Sequence, residues 1–251
     1  MRPIITLLTD FGTADGYVAE LKGVLLSAVP DLTMVDLSHE IAAQDVEAAR
    51  LAVARYWRRF PSGTVHLVVV DPGVGSDRNA LAVSSDDRFL VGPDNGVLSP
   101  ALLAGGSRAV SLPVPPNASA TFHGRDVFAP AAALLATGTA IDALGGPCLD
   151  PVIRRTPEAR RASDGSVVGE IIAVDRFGNA ISNLIAPRGG RIEIRGRTMP
   201  IVRTYADGPV GDIIALVGSS GFVEIAQRDG SAARALEITR GTRVTLRAPG
   251  A

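Results

Sequence analysis

Ile4-Ile5-Thr6-Leu7-Leu8-Thr9-Asp10 opens the first structural cycle of this chain. A continuous apolar run that closes on Thr-Asp is the pattern of a strand buried on both faces, with polar residues at its carboxyl end. Val18, Leu21, Val24, Leu25 and Ala28 then recur at helical spacing until Pro30 stops them. The cycle repeats with a strand over 32–37 and a helix that starts at Asp45, its expected N-cap, and buries Val46, Leu51, Ala54 and Trp57. A third strand over 65–70 runs into Asp71. A hairpin over 80–83 and 89–91, a strand near Val110 and an alanine-rich helix over about 126–136 follow. This alternation predicts an α/β domain over 1–155, sandwich-like, with a mainly parallel sheet covered by helices.

Residues 156–166 hold Pro157, several arginines and a Ser-Asp-Gly turn without an apolar repeat, and they read as a linker. Over 167–251 short β-rich runs at 169–174, 180–185, 191–194, 213–217, 222–226 and 243–246 are separated by Gly, Pro and Asp. They predict a smaller β-barrel or sandwich domain.

The 251 residues carry 25 Lys+Arg and 26 Asp+Glu, a net charge of −1, which argues against a nucleic-acid partner. No apolar run approaches the roughly 18 residues that cross a bilayer, so no membrane partner is expected. The N-terminal stretch reaches Asp10 before a signal-peptide core can form, and a cytoplasmic location is the expectation. The single cysteine, Cys148, sits in a Gly-Pro loop setting and permits no internal disulfide. No metal-ligand spacing is present, so neither a metal nor a cofactor is expected.

Polar clusters fall where an open α/β sheet presents its ligands, at the carboxyl ends of strands. Asp10 and Asp15 flank Phe11-Gly12-Thr13-Ala14; each is open to ligand binding or to capping the first helix. Asp71-Pro72-Gly73-Val74-Gly75-Ser76-Asp77-Arg78 lacks the ending of a P-loop and the third glycine of a dinucleotide fingerprint. Its glycines allow a tight loop that returns Arg78 toward Asp71, as a structural pair or as part of a site. Thr121-Phe122-His123-Gly124-Arg125-Asp126 offers an imidazole just before a helix. His66, inside an apolar strand, reads as structural, and His39 as support for the 38–40 turn. Asp175-Arg176-Phe177-Gly178-Asn179 and Gly218-Ser219-Ser220-Gly221-Phe222 lie at strand ends in the second domain, where an aromatic face beside an amide suits a purine or simply a turn.

Taken together, Thr9-Asp10-Phe11-Gly12, Asp71-Pro72-Gly73-Val74-Gly75, Gly92-Pro93-Asp94-Asn95-Gly96, Thr121 to Asp126 and Phe177-Gly178-Asn179 resemble the S-adenosylmethionine hydrolases that form adenosine, the hydroxide adenosyltransferases related to fluorinase and chlorinase. The resemblance covers nearly the whole chain. It implies a homotrimer whose S-adenosylmethionine lies between the first domain of one subunit and the second of its neighbour. It assigns Asp10 to the ribose hydroxyls, Phe177 and Asn179 to the adenine with Ser219 nearby, and Asp175 with Ser220 to the methionine end. Asp15, Phe122 and Glu224 are also implied as substrate-binding residues, and Asp71, Arg78 and His123 as the hydrolytic triad. The fluorinase pattern has Tyr where Asp71 stands and Ser where Gly124 stands, so the departure is toward water and away from halide. The competing readings are a module that binds S-adenosylmethionine or adenosine without turnover and an S-adenosylmethionine-dependent halogenase; product formation separates the three.

Overall fold

The computed structural model describes residues 2–186 and 189–248. The chain forms two compact units, Met1–Arg155 and Thr156–Ala251. In the first, β1 (Ile4–Thr9), α1 (Tyr17–Ala28), β2 (Thr33–Ser38), α2 (Val46–Tyr56), β3 (Val65–Val69), β4 (Ala80–Ser85), β5 (Arg88–Pro93), α3 (Ser99–Leu102), β6 (Arg108–Leu112), α4 (Ala129–Ala136) and β7 (Gly146–Pro147) follow in order. The sheet runs β2-β1-β3-β5-β4-β6-β7. β2, β1, β3 and β5 pair in parallel, while β4, β6 and β7 join through antiparallel pairings.

Both sheet faces are covered, which explains the unalternating apolar strands. Successive side chains of a strand point to opposite faces. Leu7, Leu67 and Val69 therefore pack with Leu21 and Leu25 of α1 and Ala132 and Leu135 of α4. Their neighbours Leu8, Val68 and Val70 pack with Ala49 and Val53 of α2, with Trp57 and with Ala101 of α3. His66 is a structural residue of the second face: its Nε2 donates to the Trp57 carbonyl at 3.0 Å and its Nδ1 accepts from the Thr6 hydroxyl at 2.8 Å. Burial pushes its imidazole down to about 4, so the ring is neutral near neutral pH.

Local signals decide the element ends. Asp45 caps α2, its carboxylate accepting from Ala48 N at 2.9 Å. The β4–β5 hairpin turns on Asp86 and Asp87, both in the left-handed region (φ 47° and 57°), the geometry that matches strand twist in a two-residue turn. Asp15 does not cap α1: the helix starts from Gly16 with no side-chain cap. The helix expected over 126–136 is two pieces, a π-helical turn over Gly124–Phe128 continued by α4.

The second unit comprises β8 (Arg160–Arg161), β9 (Val167–Val174), β10 (Ala180–Ile185), β11 (Arg191–Ile194), β12 (Arg197–Val202), β13 (Ile213–Val217), β14 (Phe222–Gln227), α5 (Ala232–Ala235) and β15 (Arg243–Arg247). Seven strands close into a barrel in the order β10-β14-β13-β12-β11-β15-β9, with β9 pairing back onto β10. Ile171, Leu184, Ile192, Val223, Ile225 and Val244 fill it. One expectation is corrected and one strand is added. Residues 156–166 belong to this unit, and β8 pairs with the start of β9. β12 escapes the sequence pattern because Pro200 interrupts it; the strand persists, antiparallel to β11 and parallel to β13.

Candidate active site

The carboxyl ends of β1 and β3 and the π-helical turn line one cleft of about 500 Å³ in the first unit. Asp10, Asp71, Phe122 and His123 reach it together with Phe11, Tyr17, Gln44 and Gly124. Asp71 leaves the end of β3, and the loop after it brings Arg78 back as the glycine spacing predicts. Arg78 Nε donates to Asp71 Oδ1 at 2.9 Å and Nη2 donates to Asp71 Oδ2. The two side chains are 6% and 9% exposed, so this pair is shielded from water. The guanidinium also lies 5.3 Å from the centre of the Phe128 ring.

Arg78 Nη2 reaches His123 Nδ1 at 3.0 Å and closes the set. A guanidinium only donates, so Nδ1 accepts and a neutral ring carries its proton on Nε2. Burial, then the Arg78 cation, holds the His123 pKa below the ordinary imidazole value, against the pull of Asp71 and Asp126. The backbone that presents His123 is the π-helical turn, in which Ala129 N donates to Gly124 O. Gly124 is tightly packed: a Cβ there would lie 3.3 Å from Val69 Cγ1 and 3.4 Å from Phe11 Cζ. Arg125 and Asp126 do not line the cleft. Arg125 donates twice to Asp126 and once to Glu20 of α1, and Asp126 accepts from Ser119 N, bracing the turn.

Asp10 is held from a different direction. Its Oδ2 accepts the backbone N–H of Gln44 at 2.8 Å, and Gln44 sits in the left-handed region at φ 66°, a conformation rare for a residue with a Cβ. Behind Asp10, His39 does more than support its own turn: Nδ1 meets the Thr9 hydroxyl at 2.9 Å and its carbonyl accepts from Gly12 N at 2.7 Å. Phe11, Tyr17 and Phe122 form an edge-to-face trio with centroids 5.5–6.1 Å apart. Sequence reasoning missed Tyr17, whose helical spacing gave no sign that it would join the cleft. Asp15 is exposed and outside the cleft lining.

In the second unit, Asp175 shapes the turn that carries Phe177 and Asn179. Its carboxylate accepts from Phe177 N, Asn179 N and Asn179 Nδ2 at 2.8–3.0 Å. Gly178 has φ 83°, and a Cβ there would overlap the Ser231 hydroxyl, so only glycine fits. Phe177 is left 76% exposed. Ser219 and Ser220 occupy the β13–β14 turn, where Gly221 N donates to Gly218 O. Glu224 is buried and accepts from the Tyr205 hydroxyl at 3.0 Å. Tyr205 is pushed up to about 12, by burial first and then by Glu224, with Asp175 adding to it. Among the described residues no helix is long and apolar enough to cross a membrane, and no group of three or more His, Cys, Asp or Glu could hold a metal ion.

Comparisons with known proteins agree with this organisation. A curated relative from Thermus thermophilus, named (R)-S-adenosyl-L-methionine hydrolase, is 42% identical over 98% of this chain and 100% of its own. A fluorinase from Actinopolyspora mzabensis is 27% identical over 98% of this chain and 97% of its own. The crystal structure of an uncharacterized conserved protein from Thermotoga maritima superposes with a TM-score of 0.89 at 30% identity, covering 97% of this chain and 100% of that one. Residues 5–145 match the SAM hydroxide adenosyltransferase N-terminal domain and residues 169–245 the corresponding C-terminal domain, so the chain belongs to the SAM hydroxide adenosyltransferase family.

Proposed function

We infer that this chain hydrolyses S-adenosyl-L-methionine to adenosine and L-methionine by attack of water on the ribose C5′. The observation that carries the reading is the hydrogen-bonded Asp71–Arg78–His123 set at the wall of the cleft that Asp10 also lines. The full-length likeness to an (R)-S-adenosyl-L-methionine hydrolase supports it.

The leaving group is a sulfonium, which departs as a neutral thioether, so the reaction proceeds without a cofactor. The protein's task is to hold a water in line with the C5′–S bond and take its proton. With Nδ1 committed to Arg78, His123 offers Nε2–H and orients the water oxygen as a donor. Asp71 accepts the proton as the C–O bond forms, and Arg78 fixes both partners. The electron pair of the breaking bond goes to sulfur, and the proton passes from Asp71 to solvent. Asp10 binds the ribose hydroxyls, with Phe122 beside it in the same cleft. Phe177 stacks on the adenine, Asn179 and Ser219 read its edge, and Asp175, Ser220 and Glu224 serve the methionine end. The preferred substrate is the (R)-sulfonium epimer.

Incubation with each epimer in ¹⁸O-labelled water tests this directly. Adenosine labelled at the 5′ oxygen, formed faster from the (R) epimer, is the expected result. Tight binding of both epimers with no adenosine would make the chain a binding module instead.

We also propose a homotrimer in the cytoplasm, in which the cleft of one subunit is completed by the barrel of a neighbour. The strongly exposed Phe177 is the feature that asks for such a partner. Sedimentation velocity of the active enzyme should read three chains; a fully active monomer would defeat the shared site.

A further inference from the structure

Gly92-Pro93-Asp94-Asn95-Gly96 is not part of the cleft lining, yet it grips both roots of the loop that carries Asp71 and Arg78. Asn95 Nδ2 donates to the carbonyl of Val70, the residue before Asp71, at 2.9 Å. Asp94 N donates to the carbonyl of Asn79, the residue after Arg78, at 2.9 Å. That same carbonyl accepts from Arg78 Nη1 at 3.3 Å, so Asp94 anchors the group against which the guanidinium leans. Between these roots the backbone turns on itself, with Val74 N to Asp71 O, Ser76 N to Gly73 O and Ser76 Oγ to Gly73 O, and Arg78 reaches out of the loop to His123.

The motif is itself held rigidly. The Asp94 carboxylate, buried, accepts from Val152 N at 2.8 Å, and the Asn95 carbonyl accepts from Arg154 Nε at 2.8 Å. Gly96 has φ 92°, and a Cβ there would overlap the Arg154 side chain, so the turn admits only glycine. The end of the first unit thus locks the motif, and the motif locks the loop.

We propose that Asp94 and Asn95 are positioning residues for hydrolysis, setting the Asp71–Arg78 pair from behind the loop. This rests on the roles given to Asp71, Arg78 and His123 above. Asn95→Asp is the sharpest test, because it keeps the acceptor that Val97 N uses at 3.1 Å and removes the donor to Val70. A misplacement of about 1 Å costs roughly 10²-fold in rate. We therefore expect kcat for adenosine formation to fall between tenfold and that limit, with KM little changed. In a His123→Ala background the further loss should shrink to within about twofold, since groups acting as one unit are not additive.

A second readout does not depend on activity. His123 faces Arg78, Asp71 and Asp126, and the Arg78 cation helps hold its pKa down. Displacing Arg78 should raise the His123 titration, followed by NMR, toward the ordinary value. Asn95→Ser, which withdraws the same donor without adding a charge, should move it the same way. A lower melting temperature with unchanged kcat and unchanged His123 titration would reduce the motif to scaffolding and overturn the proposal, as would a full multiplicative loss in the His123→Ala background. If the wild-type enzyme releases no adenosine, the hydrolase reading fails on its own, and the titration still decides whether the motif sets Arg78.

Discussion

Asp71→Asn is expected to slow adenosine formation by roughly 10²–10⁴-fold, the range a positioned proton acceptor supplies. The substitution keeps the shape of the side chain and one oxygen that accepts from Arg78, so KM should move little. Single-turnover kinetics with S-adenosylmethionine separates the two effects. His123→Ala should cost less, roughly 10²–10³-fold, the price of one lost donor to the reacting oxygen. It should also change the pH profile. In the wild type His123 must be neutral to accept from Arg78, and its pKa lies below the ordinary imidazole value. The rate therefore holds through neutral pH and falls only as pH drops through that lowered value. The His123→Ala enzyme should lose this acid limb. An Asp71→Asn enzyme that keeps more than about a tenth of the wild-type rate would remove Asp71 from the role of base, because that range begins at a hundredfold.

Arg78→Ala is expected to remove turnover and to destabilise the first unit by about 3–5 kcal/mol, the penalty for stranding one partner of a buried ion pair. Asp71 and Arg78 are 6% and 9% exposed, so the carboxylate left behind has little water to replace the guanidinium. The loop also loses the anchor that Arg78 makes to Asn79 O and the packing over Phe128. Urea unfolding of Arg78→Ala, of Asp71→Asn and of the double variant reads the coupling. In the Asp71→Asn background the same Arg78→Ala change should cost far less, since no bare charge remains. A loss below about 1 kcal/mol in the single variant would mean that the pair behaves as an exposed surface ion pair.

The strands of the first unit and the split into an α/β part and a β part were legible because apolar run length and helical period are local properties. Asp45 as a cap and the return of Arg78 to Asp71 were legible for the same reason: each spans only a few residues. The π-helical turn under His123 was not, because its register is set by packing of Gly124 against Phe11 and Val69, residues more than fifty positions away. β12 was hidden by Pro200 and rescued by its two neighbours. Asp15 kept the composition of a cap while the helix began one residue later, from Gly16, with no side-chain cap.

The sequence by itself determined which chemical groups exist and where along the strands they stand: Asp10 and Asp71 at carboxyl ends, His123 before a helix, Phe177 beside Asn179 at a strand end in the second unit. Only the tertiary structure decided that Arg78 binds Asp71 with two bonds and His123 with a third, that Gln44 gives Asp10 its N–H, and that Asp94 and Asn95 brace the loop from behind. Apart from the Arg78–Asp71 bonds, those are contacts between residues distant in the chain. Their geometry follows from how two apolar faces of one sheet are covered, which no single stretch of sequence contains.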